Sequence, residues 1–151
     1  MLTTPYKNPN SVLIVIYAQN TKRVLMLQRK DDPSFWQSVT GSLEHQESAL
    51  EAAKREVLEE VGIDITQQKL TIYDCQKSVK FEIFPHFRYK YAPNVTHCCE
   101  HWFLLALPNE QTPTLTEHLT FKWLSADEAI HLTKSPNNAA AIAKYLLNQA
   151  D

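Results

Sequence analysis

Two glycines are all that this chain of 151 residues contains, and they bracket one stretch, Gly41 to Ile63 (GSLEHQESALEAAKREVLEEVGI). From Ser48 to Val61 the pattern is helical. Leu50, Ala53, Val57 and Val61 recur at three- and four-residue spacing and predict one apolar face, with charges opposite. Gly62 follows the last turn, where a left-handed residue ends a helix with least strain. On an ideal helix Glu60 lies about 40° from Glu56, and Glu59 about 60° to the other side. Three carboxylates therefore leave one face within a turn and a half. Unpaired, they repel one another at neutral pH, and clustered hard oxygens call for Mg²⁺ or Mn²⁺ rather than zinc. Arg55 is spaced to pair with Glu59 or Glu51. A solvated acidic face laced by Arg55 and Lys54 is the bland alternative.

The remaining sequence predicts the body on which this helix packs. SVLIVIYA (11–18) is a strand buried on both faces. A polar turn leads into a second strand over Lys22–Lys30, forming a hairpin, and Phe35–Thr40 is a short extended piece delivering the chain to Gly41. Residues 69–91 read as two strands bent at Pro85, Glu100–Leu107 as a buried strand, and Phe121–Leu124 as a short one. Ser125 caps a brief helix, and Ser135-Pro136 opens a C-terminal helix that turns Ile142, Tyr145 and Leu146 inward. No linker or repeat interrupts the chain, so one α/β domain over residues 1–151 is expected. A formal net charge of −2 gives no global basic field for nucleic acid. No apolar run is long enough to span a bilayer, and the polar N-terminus carries no signal-peptide core. The three cysteines, two of them adjacent, make a poor disulfide framework; a cytoplasmic protein is expected.

The acidic stretch has the form G-x5-E-x7-R-E-U-x-E-E-x-G-U, where U is a bulky aliphatic residue. Gly41, Glu47, Arg55, Glu56, Val57, Glu59, Glu60, Gly62 and Ile63 meet every position. It resembles the signature box of the Nudix hydrolases. That resemblance implies an α/β/α sandwich with a mixed sheet, and a Mg²⁺-dependent cleavage of a pyrophosphate linkage (Mn²⁺ as a substitute). It implies that Glu56 and Glu60 bind the metal, that Glu59 is a further ligand or the base, and that Arg55 orients carboxylates. It also implies a metal ligand or base from the second half of the chain, for which Glu117 is the candidate. The pieces VLIVIYAQ, RVLMLQRKDDPSFWQSVTGS, RYKYAP and TEHLTFKWL resemble the folate-pathway branch of the family, which takes a pterin triphosphate. Other branches that act on nucleoside triphosphates or dinucleoside polyphosphates stay open, as does a non-cleaving nucleotide sensor.

The branch resemblance makes Lys7, Arg29 and Thr40 candidate contacts to the small triphosphate. Arg29 suits a phosphate through its planar fork, although Asp31 or Asp32 could occupy it. Ser135 could contact the substrate at a helix start, although capping alone explains it equally well. Phe81, Glu82, Ile83 and Phe84 are expected to wall an aromatic ring system, with Glu82 accepting from its N–H groups. His118 reads as a loop or partly buried histidine, with a base as the alternative. The run His97-Cys98-Cys99-Glu100-His101 invites a zinc reading, but it lacks the usual spacer between cysteines.

Overall fold

Side chains alternate across β1 (Asn10–Ala18), and that alternation generates the two layers flanking the sheet. Val12, Ile14 and Ile16 point to one side and pack with Ala52, Ala53, Val57 and Val61 of α1 (Ala49–Val61). Leu13 and Val15 point to the other. There they meet Ala129 of α2 (Ala126–Leu132) and Ala141 and Ile142 of α3 (Pro136–Ile142). The structure, a computed structural model, describes residues 6–147. The other strands are β2 (Val24–Arg29), β3 (Trp36–Gln37), β4 (Val39–Ser42), β5 (Ile72–Glu82), β6 (His97–Leu107) and β7 (His118–Leu124).

Among the described residues these strands form one sheet in the order β3-β2-β1-β6-β5, with β4 added to β1 and β7 to β2. The sheet is mixed. β1 runs parallel to β6 from Asn10↔Cys99 to Ala18↔Leu107, and antiparallel to β2 and β4. Helices on both faces complete the expected α/β/α sandwich. β4 sets Gly41 opposite Val12, so the glycine shares the face that receives α1.

The capping of α1 is local chemistry. Ser48 Oγ accepts from Glu51 N at 3.1 Å, and the Glu51 carboxylate accepts from Ser48 N at 2.9 Å. Gly62 has φ 73° and donates to Leu58 O at 3.0 Å. The buried arc of the helix differs from the expected one. Leu50 is 42% exposed, whereas Glu60 joins Ala52, Ala53, Val57 and Val61 inside, so the helix is rolled toward its acidic side.

Residues 69–91 do not form two strands. β5 ends at Glu82, and Pro85–Lys90 winds into a 3₁₀ helix. Pro85 sits where no backbone N–H is required, and Phe87 is buried against Phe35 and Ile83. β6 starts at His97, not Glu100, and β7 at His118, not Phe121. After α3 the chain makes one π-type turn, Ala143–Leu147, and Tyr145 and Leu146 pack on the core as expected.

Candidate active site

Arg55 is the hub of the acidic helix. Its Nε donates to Glu47 Oε2 at 2.7 Å, and its Nη2 donates to Glu47 Oε1 at 2.9 Å and to the Ser42 carbonyl at 3.0 Å. Its Nη1 donates to Glu56 Oε1 at 2.6 Å and to Glu59 Oε2 at 3.2 Å. Of the two partners expected from spacing, Glu59 is engaged and Glu51 is not, because the helix cap uses it. The Arg55 hydrogen bond holds the Glu47 carboxyl below its ordinary pKa. Three carboxylates are thus fixed by one planar cation.

Glu60 is left out of that arrangement. It is 4% exposed, and its Oε1 is buried without a hydrogen-bond partner; His118 Nε2 stands 3.8 Å away. Burial above all, then a hydrogen bond with Glu56 and the charges of Glu56 and Glu117, raises its pKa well above the ordinary value. His118 is itself buried, which lowers its pKa, and its Nδ1 is also unpartnered. An orphaned carboxylate oxygen costs the fold about 1–3 kcal/mol or more. A proton relieves it, and so does a cation. Close approach on the other side is secured by Gly41, where a Cβ would lie 2.2 Å from Glu56 Cδ. Among the described residues no three His, Cys, Asp or Glu side chains form a ready-made cage. The unsatisfied oxygen and its acidic neighbours nevertheless form a donor set that fits a hard divalent ion.

Glu60, Glu117 and His118 line a cleft together with Lys7, Arg29, Thr40 and Lys90. Lys7 N donates to Lys90 O at 2.9 Å, and burial, with Lys90 and Arg29 nearby, depresses the Lys7 pKa. Arg29 forks onto Asp31 with two bonds of 2.7 Å, and its Cζ lies 4.0 Å from the centre of the Phe87 ring. Lys90 pairs with the same Asp31. Thr40 lines the cleft, but its hydroxyl donates to Val12 O at 2.9 Å and so is already engaged by the sheet.

A second, aromatic cleft opens off the first, sharing Lys7, Arg29, Gln37, Thr40 and Lys90. Phe81, Ile83 and Phe84 wall it as expected, and Phe35, Phe87 and Tyr91 extend the wall. Glu82 does not belong to it. Strand alternation turns its side chain out to solvent between Phe81 and Ile83. Ser135 lines the cleft, but its oxygen caps α3 by accepting from Asn138 N at 3.1 Å.

The carboxylate inside this cleft is Glu100, which lies outside the expected set, as does Lys90. Glu100 is 6% exposed, its Oε1 accepts from Trp102 Nε1 at 3.2 Å, and burial pushes its pKa up to about 7. Period-two alternation with the buried Trp102 was the available signal. No zinc site forms around it. Cys98 is buried and Cys99 exposed, both free, while His97 binds Thr96 and His101 binds Asp74. The raised pKa has a measurable consequence. The unfolded chain releases the proton near 4.5 and the folded chain near 7, so stability falls as pH rises between them, by about 3 kcal/mol. Urea unfolding without divalent ions should show Glu100→Gln gaining on the parent protein between about pH 5 and about pH 8. A constant difference would mean the carboxyl is not held neutral.

The fold and the acidic helix define the class: this chain belongs to the Nudix hydrolase family. The NUDIX domain pattern matches residues 7–146, and hydrolases of this family generally need a divalent metal ion. The chain is 58% identical over 147 residues to dihydroneopterin triphosphate diphosphatase of Haemophilus influenzae, covering 97% of this chain and 93% of that protein. It is 59% identical over 145 residues to the Escherichia coli K12 protein of the same name, covering 96% and 97%. A solved structure of the E. coli dihydroneopterin triphosphate pyrophosphohydrolase superposes with a TM-score of 0.95 at 58% identity, covering 97% of this chain and 100% of that one.

Proposed function

We propose that this protein hydrolyses dihydroneopterin triphosphate to the monophosphate and pyrophosphate, acting as a single domain in the cytoplasm, with nucleoside triphosphates as weaker substrates. One observation carries the reading: the aromatic cleft and the acidic cleft share a neck of Lys7, Arg29 and Lys90. A ligand with a flat ring at one end and a polyphosphate at the other matches that order of environments.

Glu56, Glu60 and Glu117 are assigned as ligands of Mg²⁺, for which Mn²⁺ substitutes. When bound, the ion neutralises phosphate charge and acidifies water at the site. The chain's own residues supply the rest. Lys7, Arg29 and Lys90 draw the phosphates through the neck, and their charges offset the negative charge of the phosphate chain. Arg55 holds Glu56 and Glu59 in fixed orientations, so that neither has to be ordered during reaction. Glu59, with its side chain 54% exposed, meets solvent and is assigned to take the proton from the attacking water. Phe81, Ile83 and Phe84 seat the ring, and Thr40 and Ser135 shape the walls.

A panel of triphosphates and dinucleoside polyphosphates with Mg²⁺, resolving pyrophosphate from orthophosphate, tests this. Dihydroneopterin triphosphate should give the highest kcat/KM and pyrophosphate as first product. Orthophosphate alone would sink the pyrophosphohydrolase assignment. Preference for a dinucleoside polyphosphate would remove the pterin.

A further inference from the structure

The floor of the aromatic cleft carries polar groups that the fold does not use. Ser11 lines the cleft, is 8% exposed, and its Oγ has no hydrogen-bond partner. On the neighbouring strand, in register with it, stands Glu100. A carboxylate offers roughly four acceptor sites; the bond from Trp102 takes one and the Asn137 side chain a second at most. Acceptors at the bottom of an apolar cleft weaken the empty fold. The walls around them are aromatic: the Phe35 and Phe84 rings meet edge to face at 5.4 Å, and Phe81 completes the side. Flat apolar walls over a buried acceptor match a heteroaromatic ring that points N–H donors inward.

Resting on the pterin reading, we propose that Glu100 reads the ring: its carboxylate accepts from the ring N–H and the exocyclic NH₂ of the 2-amino-4-oxo edge, with Ser11 Oγ beside it. Adjacent donors on one edge give a carboxylate two parallel N–H···O bonds, the geometry with which it also holds a guanidinium. The direction of binding follows from the neck. Phosphates must leave the ring pocket past Lys7, Arg29 and Lys90, so the edge opposite the phosphate-bearing arm faces the floor. A ligand donor edge favours the ionised carboxyl, whereas the empty pocket favours the proton. Glu82 has the required chemistry but faces solvent.

Competitive inhibition separates ring from phosphate. Free dihydroneopterin probes the floor, and inorganic triphosphate probes the neck. In Glu100→Gln the Ki of dihydroneopterin should rise roughly tenfold or more, the cost of a lost paired bond, with the Ki of inorganic triphosphate unchanged. A ring analogue lacking the 2-amino group should bind the parent protein correspondingly less tightly and the variant about as well as the intact ring. Unchanged binding of dihydroneopterin would overturn the proposal, and so would a parallel loss for both inhibitors, which marks a structural role. If Glu100→Gln fails to fold, Ser11→Ala replaces it: weaker dihydroneopterin binding supports the assignment and unchanged binding overturns it. Failure of the parent protein to turn over dihydroneopterin triphosphate would instead remove the underlying reading. That result is independent of either Ki.

Discussion

Glu60→Gln is expected to lower turnover at least roughly tenfold, a loss of about 1.4 kcal/mol or more in transition-state stabilisation, while making the protein more stable in metal-free buffer at neutral pH. The two effects have one cause. Burial and the neighbouring Glu56 and Glu117 raise the Glu60 pKa above its ordinary 4.5. As pH rises past that value the unfolded chain gives up its proton before the folded one, so ionising this group progressively weakens the fold. Glutamine is neutral at every pH and removes the penalty. It also removes the carboxylate proposed to hold the metal. A ligand that binds only the folded state stabilises it by about 2.7 kcal/mol at a hundred times its Kd. The rise in melting temperature produced by Mg²⁺ should therefore shrink in the variant. An unchanged rate at saturating Mg²⁺ would refute the role of Glu60.

Gly41→Ala should fold and still lose roughly tenfold or more in turnover. Gly41 is not in the left-handed region, so alanine meets no backbone obstacle. The obstacle is Glu56, whose Cδ would lie 2.2 Å from the new methyl and whose oxygens would lie 2.4 and 2.6 Å away. A side-chain end can swing aside at modest cost to stability, but the carboxylate then leaves its place beside Glu60 and breaks its 2.6 Å bond with Arg55. Melting curves and kinetics on the same sample check this. A variant as active as the parent protein would show that Glu56 has room that the geometry denies it. Loss of folding would show that the contact is structural first.

The acidic helix was legible because everything that makes it is local. The stop at Gly62, the relative angles of the carboxylates and the reach of Arg55 to Glu59 all lie within about two dozen residues, whereas which arc of the helix is buried depends on the sheet. The layering was legible too, since SVLIVIYA can only be a strand covered on both sides. The ring pocket was harder, because it depends on which way an alternating strand is phased. In β5 the ladder slips between Asp74 and Ser78, with Gln76 at φ 53°; two extra residues bulge out there, and the odd positions keep one face and the even positions the other on both sides of the slip. Pairing with Glu100 and Cys98 puts Val79 and Phe81 on the cleft side, and Glu82 takes the other. Glu100 reads as the start of a buried strand and as part of a possible zinc run, and only its alternation with Trp102 points it beneath the cleft. Lys90 is hidden from the sequence for a different reason. It is carried into the neck by a 3₁₀ helix that no periodicity in 69–91 announced.

The shared neck makes the protein a ruler as well as a blade. Lys7, Arg29 and Lys90 belong to both clefts; Arg29 ends β2, Lys7 leads into β1, and Lys90 is tied to Lys7 by a 2.9 Å backbone hydrogen bond. The span from ring seat to carboxylates is therefore set by the fold and does not stretch with the ligand. For a substrate anchored by its ring, that span counts phosphates and selects the bond presented to the acidic helix. Ligands with a shorter or longer arm between ring and phosphates would bring a different bond into register, or none.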